Sequence, residues 1–197
     1  MDTALTVEDE QRHAAQAAAE HAHNRFAPVT YQGEQWSLSH LDPFAFYHDP
    51  ALGYQLQVVV IFSCHCFTHG IEKDGRCPIP AEELYQADGE TRVLDTVRYA
   101  LSLDVLVPLI NALHQRHIIV AEPGNNYVTF ERPTATGEVE HYGVFFSVTK
   151  AKSRKKRLIL RVQSAYLRPL TERQRKAKKV KFDTLLRAAY EGRTINA

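Results

Sequence analysis

The sequence predicts an α+β fold: helices with an antiparallel sheet of four or more strands and a basic C-terminal helix. Three observations predict it. Apolar residues recur at helical spacing from Val93 to Leu113, four strand-like runs follow between Ile118 and Leu167, and residues 171–190 form a capped amphipathic segment. At 197 residues, with 44% hydrophobic and 24% charged side chains, the chain reads as one domain spanning 1–197.

The elements follow in order. Residues 5–24 contain no Gly or Pro, and Thr6 stands as an N-cap with Asp9 three residues on. Their apolar content is mostly Ala, so 1–25 reads as a peripheral helix. Val29 to Ser39 forms a hairpin about Gly33. Asp42-Pro43 and Asp49-Pro50 mark a loop or short helical turn. Tyr54 to Phe67 is a strand, apolar on both faces toward its end. Residues 70–90 hold three Gly and two Pro and read as a loop with one helical turn at Glu82–Tyr85. A core helix then runs from Val93 to Leu113, broken near Ser102 or kinked by Pro108. The strands Ile118–Ala121 and Tyr127–Glu131 join across Pro123-Gly124-Asn125. His141–Lys150 and Arg157–Leu167 join through the basic turn 151–156. In the final helix, 171–190, Thr171 and Gln174 make a capping box and Val180, Leu185, Leu186 and Ala189 an apolar stripe.

The net charge of +1 hides a split. From Lys150 onward there are 16 Lys and Arg against three acids, and the rest of the chain carries 8 against 20. A basic end on an acidic body predicts an anionic partner, RNA or DNA, or an acidic protein. The phosphate contacts would come from Lys150, Lys152, Arg154, Lys155, Lys156, Arg157, Arg173, Lys176 and Lys179. No apolar run approaches the roughly 20 residues of a membrane helix. The acidic N-terminus has no signal core, and three Cys argue against a disulfide scaffold, so a cytoplasmic location is expected. Motifs for phosphate-loop, HExxH and GxSxG chemistry are absent.

Cys64, Cys66, His69 and Cys77 are the densest set of soft ligands and could hold a structural zinc. Strand alternation would put Cys64 and Cys66 on one face and His65 on the other. The competing reading makes the two Cys core thiols. His13, His21 and His23 read as solvent-facing.

Period 2 in the last strand puts Leu158, Leu160, Val162, Ser164 and Tyr166 on one face and Ile159, Arg161, Gln163 and Ala165 on the other. Ser164-Ala165-Tyr166, with Phe145-Phe146-Ser147-Val148 on the neighbouring strand, resembles the ribonuclease fold of barnase, EndoU, colicin-type and RelE-like toxins. The likeness covers about residues 93–168. It implies a metal-independent, toxin-like endoribonuclease with Arg161, Ser164, Tyr166 and His141 at its cleft, acting on RNA or the ribosome and countered by an acidic inhibitor protein. Arg161 and Ser164 can share one site only if a bulge intervenes. The alternatives are a non-enzymatic nucleic-acid-binding or regulatory module using the basic C-terminal region, and a small zinc-stabilised interaction protein.

Overall fold

The computed structural model describes residues 6–87, 89–122, 125–133, 139–152 and 156–195, with the strand residues between 121 and 140 and Arg173 described by backbone alone. It is an α+β fold. Helix α1 (Val7–Ala19) begins where Thr6 accepts the Asp9 amide at 3.2 Å, as the sequence predicts. The hairpin β1 (Val29–Tyr31) and β2 (Glu34–Trp36) turns through Gln32 and Gly33, both at positive φ (49° and 84°). That geometry suits the twist of a two-residue hairpin. Strand β3 (Phe44–His48) occupies the segment between the two Asp-Pro pairs, where the sequence predicts a loop or helical turn. Its five residues are too few for their alternation to stand out against the flanking prolines.

Strand β4 (Leu56–Phe62) is buried along its whole length. It stops at Phe62 rather than Phe67 because Ser63 caps a 3₁₀ turn, Cys64–Cys66, accepting the His65 amide at 3.2 Å. Cys64 and Cys66 therefore do not share a strand face. Residues 71–83 are irregular chain and 3₁₀ turns, as the predicted loop implies, but strands flank them. A small sheet of order β5-β7-β6 forms from β5 (Thr68–Gly70), β6 (Leu84–Ala87) and β7 (Glu90–Leu94), and 3₁₀ turns lie at Ile71–Lys73 and Ala81–Glu83. Val93 and Leu94 belong to β7. Helix α2 (Thr96–Leu101) starts only after Asp95, which accepts the Arg98 amide at 3.0 Å. The predicted break is a π-turn, Ser102–Leu106, leading into α3 (Val107–Asn111). Pro108 has no amide hydrogen for the carbonyl four residues back, and the widened turn absorbs the mismatch. There Ser102 donates to the Tyr99 carbonyl at 2.7 Å and so accepts from His40 Nε2 at 2.8 Å.

Strands β8 (His117–Glu122), β9 (Asn125–Pro133), β10 (Val139–Lys150) and β11 (Arg157–Leu167) pair antiparallel in succession, as predicted. The turn residues Pro123 and Gly124 lie outside the described residues. The predicted helix 171–190 is two helices and a strand: α4 (Glu172–Lys176), β12 (Lys179–Lys181) and α5 (Phe182–Glu191). The Thr171–Gln174 capping box is present. Beyond it, Val180 is buried between exposed Lys179 and Lys181, a period of 2 that favours pairing with β8 over a helix.

The main sheet has the order β12-β8-β9-β10-β11-β4-β3, with β4 parallel to β11. One face packs Val58, Val60, Leu158, Leu160 and Val162 against Leu101, Leu106, Ile110, Leu185 and Leu186. Each such side chain contributes about 1.5–3 kcal/mol on burial. On the other face, Ala17 of α1 packs on Val59, Ile61 and Ile159. The rest of that second face, on β10 and β11, carries the candidate site. Among the described residues no helix is long and apolar enough to cross a membrane.

Candidate nucleic-acid site on the sheet

Strand β11 does not alternate evenly. Phe145 of β10 pairs with Ser164, but Phe146 pairs with Val162, so Gln163 is an extra, bulged residue. The bulge forms where β11 meets the end of β4. Ser63 donates its amide to the Val162 carbonyl at 3.0 Å and its hydroxyl to the Gln163 carbonyl at 2.6 Å, satisfying both. The extra residue reverses the faces beyond it. Ala165, fully buried, takes the core side with Leu158, Leu160 and Val162. Ser164 and Tyr166 take the second face, opposite Phe145 and Gly143, and Arg161 lies opposite Ser147 on the same face. This overturns the even alternation read from the sequence and brings Arg161, Ser164 and Tyr166 to one side. His141, in phase with Gly143, Phe145 and Ser147 on β10, shares that side.

Four planar groups stack there. The Arg98 guanidinium lies 4.6 Å from the Tyr166 ring centroid, Tyr166 stacks on Phe145 at 5.5 Å and 19°, and the Arg168 guanidinium lies 5.6 Å from the Phe145 centroid. The two arginines are held differently. Arg98 Nη1 donates to the Thr68 and His65 carbonyls at 2.7 and 3.0 Å, and its Nε lies 3.4 Å from Asp95. Among the described residues the Arg168 side chain donates only from Nε to the adjacent Pro169 carbonyl, at 3.4 Å. Its stem crosses Gly143, where a Cβ would sit 3.4 Å from Arg168 Cδ and from the Phe145 ring.

Behind Arg98 a chain of charges runs through the small sheet. Asp95 meets His69 Nδ1 at 2.9 Å, and His69 Nε2 meets Asp74 at 3.1 Å. Asp74 receives Arg76 Nε and Nη2 at 2.7 and 2.8 Å, and Arg76 also reaches Glu83 at 2.7 Å. Hydrogen bonds from Arg76, and then from His69, hold the Asp74 carboxyl far below the ordinary range. The Glu83 carboxyl is lowered by Arg76 and Gln32.

This network decides the fate of the expected zinc set. Both ring nitrogens of His69 face carboxylates, Cys77 is exposed, and Cys64 and Cys66 are buried in the core. Burial pushes the Cys66 thiol up to about 12, which keeps it protonated in the core. Among the described residues no three His, Cys, Asp or Glu converge on a point that could hold a metal ion. The four predicted ligands are not brought together.

The predicted phosphate contacts are scattered. Arg157 is buried, donating to Gln57 and Glu20 at 2.6 Å each, and so ties α1 to β11 instead of facing a ligand. Lys150 and Lys156 lie over the rings of Tyr190 and Tyr54 at 4.1 and 4.9 Å. Lys152 and Lys179 are exposed, and Lys176 pairs with Glu172 at 3.2 Å. Arg154 and Lys155 lie outside the described residues, as does the Arg173 side chain. Arg98 and Arg168 escaped sequence reasoning, since neither sits in a motif. His21 differs from the solvent-facing position that the sequence predicts. It is half-buried, and burial, His23 and Arg157 lower its pKa, with Arg161 also contributing.

A model of the YjaZ family matches residues 28–190. No curated protein and no solved structure matches the chain.

Proposed function

The chain belongs to the YjaZ family, and we propose that it is an RNA-directed, metal-independent endoribonuclease working on the open face of β10 and β11. The observation that carries this reading is the bulge at Gln163, which puts Arg161, Ser164 and Tyr166 on the side of His141. Cleavage by the 2′-hydroxyl needs a base for its proton, an acid for the leaving 5′-oxygen and cations for the phosphorane charge. His141 takes the 2′-proton as the general base. The 2′-oxygen bonds to phosphorus, the bond to the 5′-oxygen breaks, and the Tyr166 hydroxyl protonates that oxygen. The products are a 2′,3′-cyclic phosphate and a 5′-hydroxyl.

Distance divides the cations. Along β10, six residues separate His141 from Ser147, the partner of Arg161, or about 20 Å at 3.3 Å per residue. One phosphate cannot meet both. The charge beside Tyr166 is therefore that of Arg98, Ser164 hydrogen-bonds the same phosphate, and Arg161 takes a neighbouring one.

The test is incubation of purified protein with total cellular RNA, with and without translating ribosomes. Tyr166→Phe and Ser164→Ala should each slow cleavage at least about tenfold, some 1.4 kcal/mol of barrier, and the fragments should carry 2′,3′-cyclic ends. The exposed lysines at 150, 152 and 179 favour a second reading, a non-catalytic nucleic-acid-binding module. Salt-sensitive binding with no cleavage in either setting would decide for it.

A further inference from the structure

We propose that the Arg168 guanidinium is an exchangeable cover, and that an unpaired nucleobase of single-stranded RNA replaces it on the Phe145 ring. The inference rests on the RNA reading of this face and names the form of RNA it takes. It follows from the unequal anchoring of the stack. Arg98 is fastened by two carbonyls and a carboxylate and holds Tyr166 in place. Among the described residues the Arg168 side chain has one long bond to the carbonyl of the next residue and a contact with a ring. Its stem lies across a glycine, 3.4 Å from where a Cβ would sit.

Exchange loses little and gains twice. A nucleobase restores the contact to the ring with a larger π-surface. The displaced guanidinium stays on its stem near the base, where it can pair bidentately with that nucleotide's phosphate. A base within a duplex is already stacked on both sides and cannot enter, so the site selects single strands.

The probe is a short single-stranded oligonucleotide with 2′-O-methyl riboses, which cannot be cleaved, and one 2-aminopurine, whose fluorescence is quenched on stacking. The wild-type protein should quench it, and the same sequence as a duplex should not be quenched. Phe145→Leu should abolish quenching and weaken binding about tenfold, while Phe145→Tyr, which keeps the ring, should preserve both and show that the site still folds. Arg168→Ala should keep the quenching but flatten the salt dependence of binding. Absence of quenching by wild type, equal quenching of the duplex, or quenching unchanged in Phe145→Leu would overturn the proposal. Unmodified RNA separates the two ideas. Quenching without cleavage sinks the ribonuclease reading alone, and cleavage with quenching indifferent to Phe145 sinks this one alone.

Discussion

Arg157 shows how position outweighs residue type. In sequence it is one of a basic run, but it sits where β11 passes under α1 and spends its charge on Glu20 and Gln57. Arg157→Ala should lower stability by about 2 kcal/mol in urea unfolding, because it strands partly buried acceptors, and should leave RNA affinity unchanged. Ser164 and Tyr166 stand out as candidates in the sequence because they fall together in one strand. Arg98 and Arg168 do not, since only folding sets them on Tyr166 and Phe145. Protonation acts at this scale as well. Burial lowers the pKa of His40 from the ordinary 6.5, and burial, with His23 and Arg157, does the same for His21. The folded chain then binds fewer protons than the unfolded chain below pH 6.5. Their contribution is complete above that value and lost as pH falls through the lowered folded values. Urea midpoints should drop between pH 7 and 5, and His40→Gln should flatten that slope. The lowered carboxyls of Asp74 and Glu83 add a separate loss in more acid solution, below their ordinary values of 3.8 and 4.5.

Among the elements, the bulge in β11 reverses the faces of a strand with one residue. Deleting Gln163 would restore even alternation, turning Ser164 and Tyr166 inward and Ala165 outward. That variant should lose its cooperative thermal transition, whereas Gln163→Ala, which keeps the residue count, should shift stability by less than about 0.5 kcal/mol. The sequence made the four-strand meander, α1, the hairpin and both caps legible, because each carries its own period or capping side chain. It concealed β3 and the small sheet. Those strands have three to five residues apiece and are interrupted by Gly and Pro, so no window holds a full pattern. The split of the last helix was concealed for a different reason: Val180 satisfies both a helical stripe and a strand, and only its seat beside Ile118 chooses.

At the scale of the molecule, the basic charge is not one patch. Nine residues of β11 separate Arg157 from Tyr166, about 30 Å, and Lys179 lies at the far edge of the sheet. On the proposed reading, a single strand of RNA on the face of β10 and β11 meets Arg161 but not Lys179. Arg161→Gln should reduce the slope of log affinity against log salt by about 0.7, and Lys179→Gln should leave it unchanged. The pairing of β4 with β11 has a consequence for how the chain is made. Gln57 and Arg157, partners in that pair, are 100 residues apart. At about 5–20 residues per second, the ribosome delivers β11 some 5–20 seconds after Leu56–Phe62 has emerged. For that interval an apolar, β-prone heptapeptide waits with its β11 edge unfilled. This is the window in which nascent chains would cross-pair, and in which a chaperone that shields short hydrophobic segments would have most to do.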